Sequence, residues 1–312
     1  MAVLLDTFVN LFPLYFFITL GVLLRKTKLV PESIVQPLNR LVFIVFISTA
    51  LFVSTYETDL AEAVNSKAIL FAVLAVLVQA AGGAFYALWK VKSRPQAAVV
   101  AQCAYRSNFN LHGLIYVSLL FGAEKLGVTS ILIAVMVPLF NLLSVITFAV
   151  MAGEKPGLRS ILFKLITNPI ILAVLAAMTF KLTGLELPSM LYQPVKQISA
   201  VAAPLALIVA GACLTFQGLK NNRHLITAIA VMRLLVVPLI FVPLAIWFGF
   251  REVVLLSFLV AFGGPVACPL PAMAYEMGGD GELASQAVAV TSFFSLPTIH
   301  LFILALKAGQ FL

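Results

Sequence analysis

The chain has 312 residues, of which 62% are hydrophobic and 10% are charged, and its formal net charge is +8. Soluble domains contain about 45–50% apolar and about 25% charged residues, so the mean hydropathy of +1.10 excludes a water-soluble fold. The basic charge does not predict nucleic-acid binding, because Lys and Arg also orient membrane proteins and contact anionic headgroups. We expect an integral membrane protein whose function lies within the lipid bilayer.

Apolar segments predict an all-α polytopic membrane protein with ten transmembrane helices, since about 20 helical residues cross a bilayer. In chain order, the predicted spans are residues 4–24, 38–56, 67–89, 97–122, 128–152, 161–182, 195–216, 224–249, 252–277 and 284–308. Short connections with charged, Gly or Pro residues separate these spans. No soluble domain is therefore expected.

The Lys and Arg residues are divided unequally between alternating connections. Twelve fall on the side that includes Arg25 and Lys220, and six fall on the side that includes Lys125 and Arg251. Basic connections stay in the cytoplasm. We therefore expect the plasma membrane, in bacteria the inner membrane, with both termini on the outer face.

Two stretches of the chain are similar at a constant offset. Residues 31–41 and 188–198 share two prolines and one glutamine, and each leads into an apolar span. Such a match could arise by chance, but it also predicts two repeats of five spans, residues 1–152 and 153–312. Because five is odd, the second repeat would insert upside down. Inverted repeats are characteristic of secondary transporters, whose substrate sites lie between discontinuous helices.

The fourth span gathers polar side chains that are costly in lipid. A charged residue at the centre of a span costs about 2.5–3.5 kcal/mol on insertion scales. These groups either hydrogen-bond between helices or line a polar cavity where the helix is unwound, with Gly113 relieving backbone strain. We favour the cavity, because six polar groups exceed what helix association requires: Gln102, Arg106, Ser107, Asn108, Asn110 and His112.

The ninth span cannot form a continuous helix. Residues 263–271 contain three prolines and two glycines, and each proline removes a backbone donor and clashes with the preceding turn. A simple kink is the alternative for one proline, but three predict a break. We expect the freed backbone groups to find partners in water, an ion or a substrate, and the following half-helix to attract anions at its N-terminus.

The two interrupted spans together supply the candidate site. Arg106 would offer paired donors to a carboxylate. His112 would take up a coupling proton or be a satisfied interhelical histidine, and Gln102 is a second candidate for ion coupling; H⁺, Na⁺ and uniport remain open. Arg233 either snorkels or pairs structurally, or it contacts substrate. The predicted substrate-binding residues are Arg106, Asn108, Asn110, His112, Gly113, Pro265, Cys268 and Pro269.

Signatures of enzymes are absent from the sequence. It contains no His-Glu-x-x-His pair, nucleophile elbow, phosphate-binding Gly-rich loop or Cys-x-x-Cys pair. We therefore expect no catalytic residues, no metal and no cofactor. The predicted spans hold arginines but hardly any carboxylate, which suits an anionic solute. A membrane receptor that binds a small anion without moving it is the alternative to a carrier.

The chain resembles the auxin efflux carrier family over essentially its whole length. That family includes bacterial carriers assigned to malonate or malate, and it is related to plant PIN exporters and, more distantly, to bile acid–sodium symporters. The stretches that carry the resemblance are Leu38-Asn39-Arg40, Arg106-Ser107-Asn108, Gly113-Leu114, Leu120-Phe121-Gly122, Pro265-Val266-Ala267, Tyr275 to Leu283 and Ala284 to Pro297.

The resemblance implies a fold and a mechanism. Helices 1, 2, 6 and 7 would form a scaffold, and helices 3–5 and 8–10 a transport domain that moves like an elevator. Helices 4 and 9 would cross at their breaks, with Asn108 and Asn110 at one break and Pro265 at the other. Family members commonly have a proline where this chain has Ile115, so the fourth-span break would rest on Gly113 and its polar neighbours. A homodimer and carboxylate or auxin-like substrates are also implied.

Overall fold

The computed structural model describes residues 2–57, 65–152, 167, 169–213, 222–268 and 270–312. Within these residues the protein is all-helical, and the only β-type pairing is a single antiparallel bridge between Ser107 and Val266. Helices satisfy their backbone groups internally, which is what a chain in lipid requires. The predicted all-α fold is confirmed for the described part of the chain.

Twelve helices follow one another in the described residues. Two of them include π-helical turns, Val42–Ile47 in α2 and Met232–Val236 in α9. The helices are α1 (Ala2–Lys26), α2 (Glu32–Glu57), α3 (Ser66–Lys90), α4 (Arg94–Tyr105), α5 (Phe109–Phe121), α6 (Leu126–Ala152), α7 (Pro169–Thr183), α8 (Ser189–Cys213), α9 (Arg223–Trp247), α10 (Glu252–Gly263), α11 (Leu270–Glu276) and α12 (Gly281–Ala308).

The predicted spans correspond to these helices in order. The fourth span is divided into α4 and α5, and the ninth into α10 and α11, so both predicted interruptions are present. Parts of the sixth and seventh predicted spans, residues 161–166, 168 and 214–216, lie outside the described residues. In the part of the chain that the structure describes, five helices, α2, α3, α6, α9 and α12, are long and apolar enough to cross a membrane. The ten-span count and the inverted repeats stay predictions.

The chain forms two compact units. Unit 1 comprises Met1–Ser66, Asn110–Ala134 and Ile166–Cys213, and unit 2 comprises Lys67–Phe109, Val135–Leu165 and Leu214–Leu312.

Unit 1 is built on a close crossing of α1 and α8. A Cβ added at Gly21 would lie 1.9 Å from the carbonyl oxygen of Ile208, and one added at Gly211 would lie 2.1 Å from that of Ile18. Glycines allow two helix backbones to touch in this way. On α2, the ring of Phe52 packs edge-on against Phe180 of α7, with centroids 6.2 Å apart.

Unit 2 has its core around α4. Residues 97–101 and Cys103 of α4 are fully buried, against apolar side chains of α6, α9, α11 and α12. Asp280 ties the start of α12 to the start of α4, because its carboxylate accepts from the Leu283 N–H (2.9 Å) and from the Gln96 side chain (3.0 Å). Apolar packing and the bonds of Asp280 thus hold α4 against α11 and α12 inside unit 2.

Candidate functional site

The two interruptions pair with each other inside unit 2. We call residues 106–108 and 264–268 the crossover. Its backbone is extended at Arg106 (φ −81°, ψ 95°) and at Gly264 (φ −69°, ψ 163°). Across it, the N–H of Asn108 donates to the carbonyl of Pro265 (2.8 Å), and the N–H of Ala267 donates to the carbonyl of Arg106 (3.2 Å).

This pairing corrects one expectation. The freed backbone groups were expected to find partners in water, an ion or a substrate, but at these positions the other interrupted segment supplies them. The N–H of Val266 also has a protein partner, because it donates to the Thr291 hydroxyl of α12 (3.1 Å). Unpaired backbone groups are costly in lipid, so two short extended segments that bond to each other stabilise both breaks.

The fourth-span break lies at the polar residues that precede Gly113, as expected, but it does not include Gly113 itself, which was also expected to take part. Gly113 lies inside the continuous helix α5, whereas the break is at residues 106–108. In an unbroken helix the N–H of Asn108 would donate to the carbonyl of Ala104. Here that N–H bonds to Pro265, and the Ala104 carbonyl accepts from Arg233 (3.0 Å). The exchange of partners, and not a glycine, ends α4.

Arg106 is buried at the crossover among neutral acceptors. Its Nη1 donates to Gln102 Oε1 (3.4 Å) and Met273 Sδ (2.8 Å), and its Nη2 donates to Asn141 Oδ1 (3.1 Å). The residue is 5% exposed. The two ion pairs found among the described residues are at Glu32 and Glu57, so no described carboxylate neutralises Arg106.

Several predicted site residues meet at the crossover. The amide of Asn108 donates to Cys268 Sγ (3.4 Å), and Pro265 is buried beside them. Gln102 also donates to the Ser144 carbonyl (3.4 Å), so both ends of its side chain bond to protein groups. Pro269 lies outside the described residues.

Unit 1 contains a cavity that reaches the first turn of α5. Its volume of about 210 Å³ corresponds to about seven waters and suits a small organic molecule. Asn110 lines this cavity, whereas His112 and Gly113 are not among its lining residues; the His112 ring instead stacks near Tyr116, with centroids 6.4 Å apart. The lining residues come from α2, α5, α6, α8 and the turn before α6: Ile47, Ala50, Val53, Glu57, Asn110, Leu111, Leu114, Ile115, Ser118, Ala123, Leu126, Ser199, Ala200 and Ala202.

A charged cluster borders the cavity at the end of α2. Glu57 Oε1 accepts from Lys196 Nζ (2.6 Å) and from the Tyr192 hydroxyl, both on α8. The side chains of Glu57 and Lys196 are 42% and 53% exposed, so the pair is solvated and contributes little to stability. The Glu57 carboxylate thus occupies donors that another carboxylate could use.

Two of the three groups that hold Arg106 were not predicted from the sequence. Asn141 and Met273 were not singled out, although Asn141 is the one side-chain amide in the fifth predicted span and therefore carried a signal. For Arg233 the alternatives were structural pairing and contact with substrate, and its bonds in the structure are those of structural pairing. Its guanidinium donates to the carbonyls of Ala104, Ala261 and Gly264 in unit 2.

Two comparisons with known proteins agree. A family model described as "Membrane transport protein" matches residues 6–303. A protein named "Uncharacterized transporter" from Methanothermobacter thermautotrophicus is 25% identical over 289 residues, which cover 91% of this chain and 93% of that protein. The resemblance to the auxin efflux carrier family is confirmed.

Proposed function

Since the chain belongs to the membrane transport protein family, we propose that it carries small organic anions, such as mono- or dicarboxylates, across the membrane as a secondary transporter. The family and the apolar helices make it an integral membrane protein concerned with transport. Beyond this, we propose that the solute is small and negatively charged.

The observation that carries this proposal is the set of acceptors around Arg106. A buried guanidinium with neutral partners keeps a full positive charge where the dielectric constant is low, and an anion would stabilise it. A guanidinium has five N–H donors, and three of them make the bonds to Gln102, Met273 and Asn141. That leaves two, the Nε–H and one on Nη2, which can bind a carboxylate in the paired manner typical of arginine.

Ser107 supports a ligand at the same place. Its hydroxyl is buried and has no hydrogen-bond partner among the described residues. A buried hydroxyl without a partner costs about 1–3 kcal/mol, and a substrate oxygen would remove that cost. We propose Arg106, Ser107 and Asn108 as polar contacts of the substrate, with Cys268 and Pro265 beside them.

The cavity in unit 1 is lined by none of the residues of the crossover, and by itself it also suits a small solute. At about 210 Å³ it is smaller than the sites of drug-sized ligands, which run from about 300 Å³ upward. Its walls are mostly apolar, with Asn110, Ser118 and Ser199 as uncharged polar groups and with Glu57, which is paired with Lys196, as the charged one. A short-chain carboxylic acid matches this combination.

The mechanism we propose is elevator-type alternating access in two inverted repeats. The first, second, sixth and seventh predicted spans would be the scaffold that dimerises. The third to fifth and eighth to tenth predicted spans would move with the substrate. The two paired breaks support this, since transporters place their sites at discontinuous helices. A coupling ion would be H⁺ or Na⁺, with His112 and Gln102 as candidate residues.

Counterflow in proteoliposomes tests the proposal. Purified protein is first screened by thermal shift against a panel of carboxylates, and those that stabilise it are tested with labelled solute outside and excess unlabelled solute inside. A carrier accumulates label transiently, whereas a receptor does not and protein-free vesicles do not. Absence of counterflow for every stabilising carboxylate would overturn the proposed function.

A further inference from the structure

Arg233 occupies an unusual position within unit 2. It lies in the π-helical turn Met232–Val236 of α9 and is fully buried. Its three nitrogens each donate to a backbone carbonyl: Nη1 to Ala104 (3.0 Å), Nη2 to Ala261, and Nε to Gly264 (2.8 Å). A wider π turn is often found where a helix presents a functional side chain.

Arg233 donates to the carbonyls that the two breaks leave without a helical partner. Pro265 has no N–H, so it cannot donate to the carbonyl of Ala261 four residues earlier. The N–H of Asn108 donates to Pro265 across the crossover, so the carbonyl of Ala104 is also released. A single guanidinium therefore replaces one missing N–H at each break.

The same carbonyls are the negative ends of two helices. The C-terminus of a helix carries about −0.5 of an elementary charge, and Arg233 contacts the C-terminal ends of both α4 and α10. Two such ends sum to about −1, which the +1 charge of Arg233 offsets. Without Arg233, this negative potential would act at the crossover, where Arg106 lies.

We infer that Arg233 is a positioning residue that sets the charge of the crossover: it joins the two helix ends and offsets their dipoles, which leaves the charge of Arg106 for an anionic substrate. This inference rests on the proposed function. A purely structural role would affect the rate of transport and the yield of folded protein, but it would not make substrate affinity depend on the charge at position 233.

The test separates charge from geometry by comparing two variants. Arg233→Lys keeps the charge but replaces the planar fork by a single ammonium, and Arg233→Gln removes the charge. Labelled malonate, or the carboxylate with the strongest wild-type counterflow, is the probe, and KM and Vmax are measured for each variant. We expect both variants to have a lower Vmax, Arg233→Lys to keep the wild-type KM, and Arg233→Gln to raise KM about tenfold.

Arg251→Gln is the matched control. Arg251 also donates to backbone carbonyls, those of Ile246 (2.9 Å) and Phe250 (2.8 Å), but it is exposed. We expect this variant to keep the wild-type KM. A KM for Arg233→Gln within twofold of wild type, or equal KM values for the Lys and Gln variants, overturns the inference.

The remaining outcomes are also decisive. If Arg233→Gln does not fold, a tenfold rise in the KM of Arg233→Lys overturns the inference, because the charge is still present, and a wild-type KM supports it. Absence of counterflow by the wild-type protein for all carboxylates removes the proposed function itself. If the wild-type protein shows counterflow but the variants do not behave as expected, the inference fails and the proposed function stands.

Discussion

Replacing Arg106 by Ala should abolish tight substrate binding without unfolding the protein. Its acceptors, Gln102, Asn141 and Met273, are neutral, so removal of the guanidinium leaves no buried charge behind. Truncating one partner of a buried charge pair costs about 2–5 kcal/mol. Because two N–H groups of Arg106 would bond to the substrate, we take a loss of about 3 kcal/mol of binding free energy, which corresponds to about a 150-fold loss of affinity.

The assay is counterflow with protein that elutes as a single species in detergent. Arg106→Lys keeps the charge but cannot donate in the paired manner. Its KM should therefore lie between those of wild type and Arg106→Ala. Arg94→Ala is the matched control, because Arg94 is the exposed first residue of the same helix, α4. A KM for folded Arg106→Ala within threefold of wild type would refute the assignment of Arg106 to the site.

Cys268 is half-buried beside the amide of Asn108, so a maleimide should block transport and bound substrate should slow the labelling; equal labelling rates with and without substrate would contradict this placement. Replacing Gly211 by Val should lower the melting temperature in detergent, because the added Cβ would lie 2.1 Å from a backbone oxygen of α1. Gly82→Ala is its control, since nothing lies within 4 Å of a Cβ added there. A wild-type melting temperature for Gly211→Val would show that the α1–α8 crossing accepts a larger side chain and would contradict this prediction. Glu57→Gln should lower the KM for a carboxylate about threefold, because the charge of its lysine partner is then no longer neutralised; an unchanged KM and salt dependence would exclude a role for Glu57 in substrate entry.

Much of the candidate site was readable in the sequence. A helix in lipid must be apolar, so the cluster of polar residues around Arg106 and the prolines around Pro265 stood out as interruptions. The structure places Arg106, Asn108, Pro265 and Cys268 together at the crossover. It places Asn110 at the cavity of unit 1.

Two features could not be read from local sequence. Gly113 was expected to relieve backbone strain at an unwound turn, but a glycine inside a helix costs only about 1 kcal/mol, and α5 is continuous there. The acceptors of Arg106 come from α4, α6 and α11. Nothing in the spacing of the chain specifies which of these helices will be adjacent.

Hydropathy and proline chemistry act over a few residues, so local patterns predict that this chain lies in lipid, that it is helical, and that two of its apolar segments are broken. How the backbone groups at the breaks find hydrogen-bond partners depends on the packing of distant helices. Arg233 and Ala104 are 129 positions apart, and the carbonyl that Arg233 contacts is free only because Asn108 bonds to Pro265. Such an exchange of partners depends on several helices packing at once, which is why it is a property of the fold and not of any one segment.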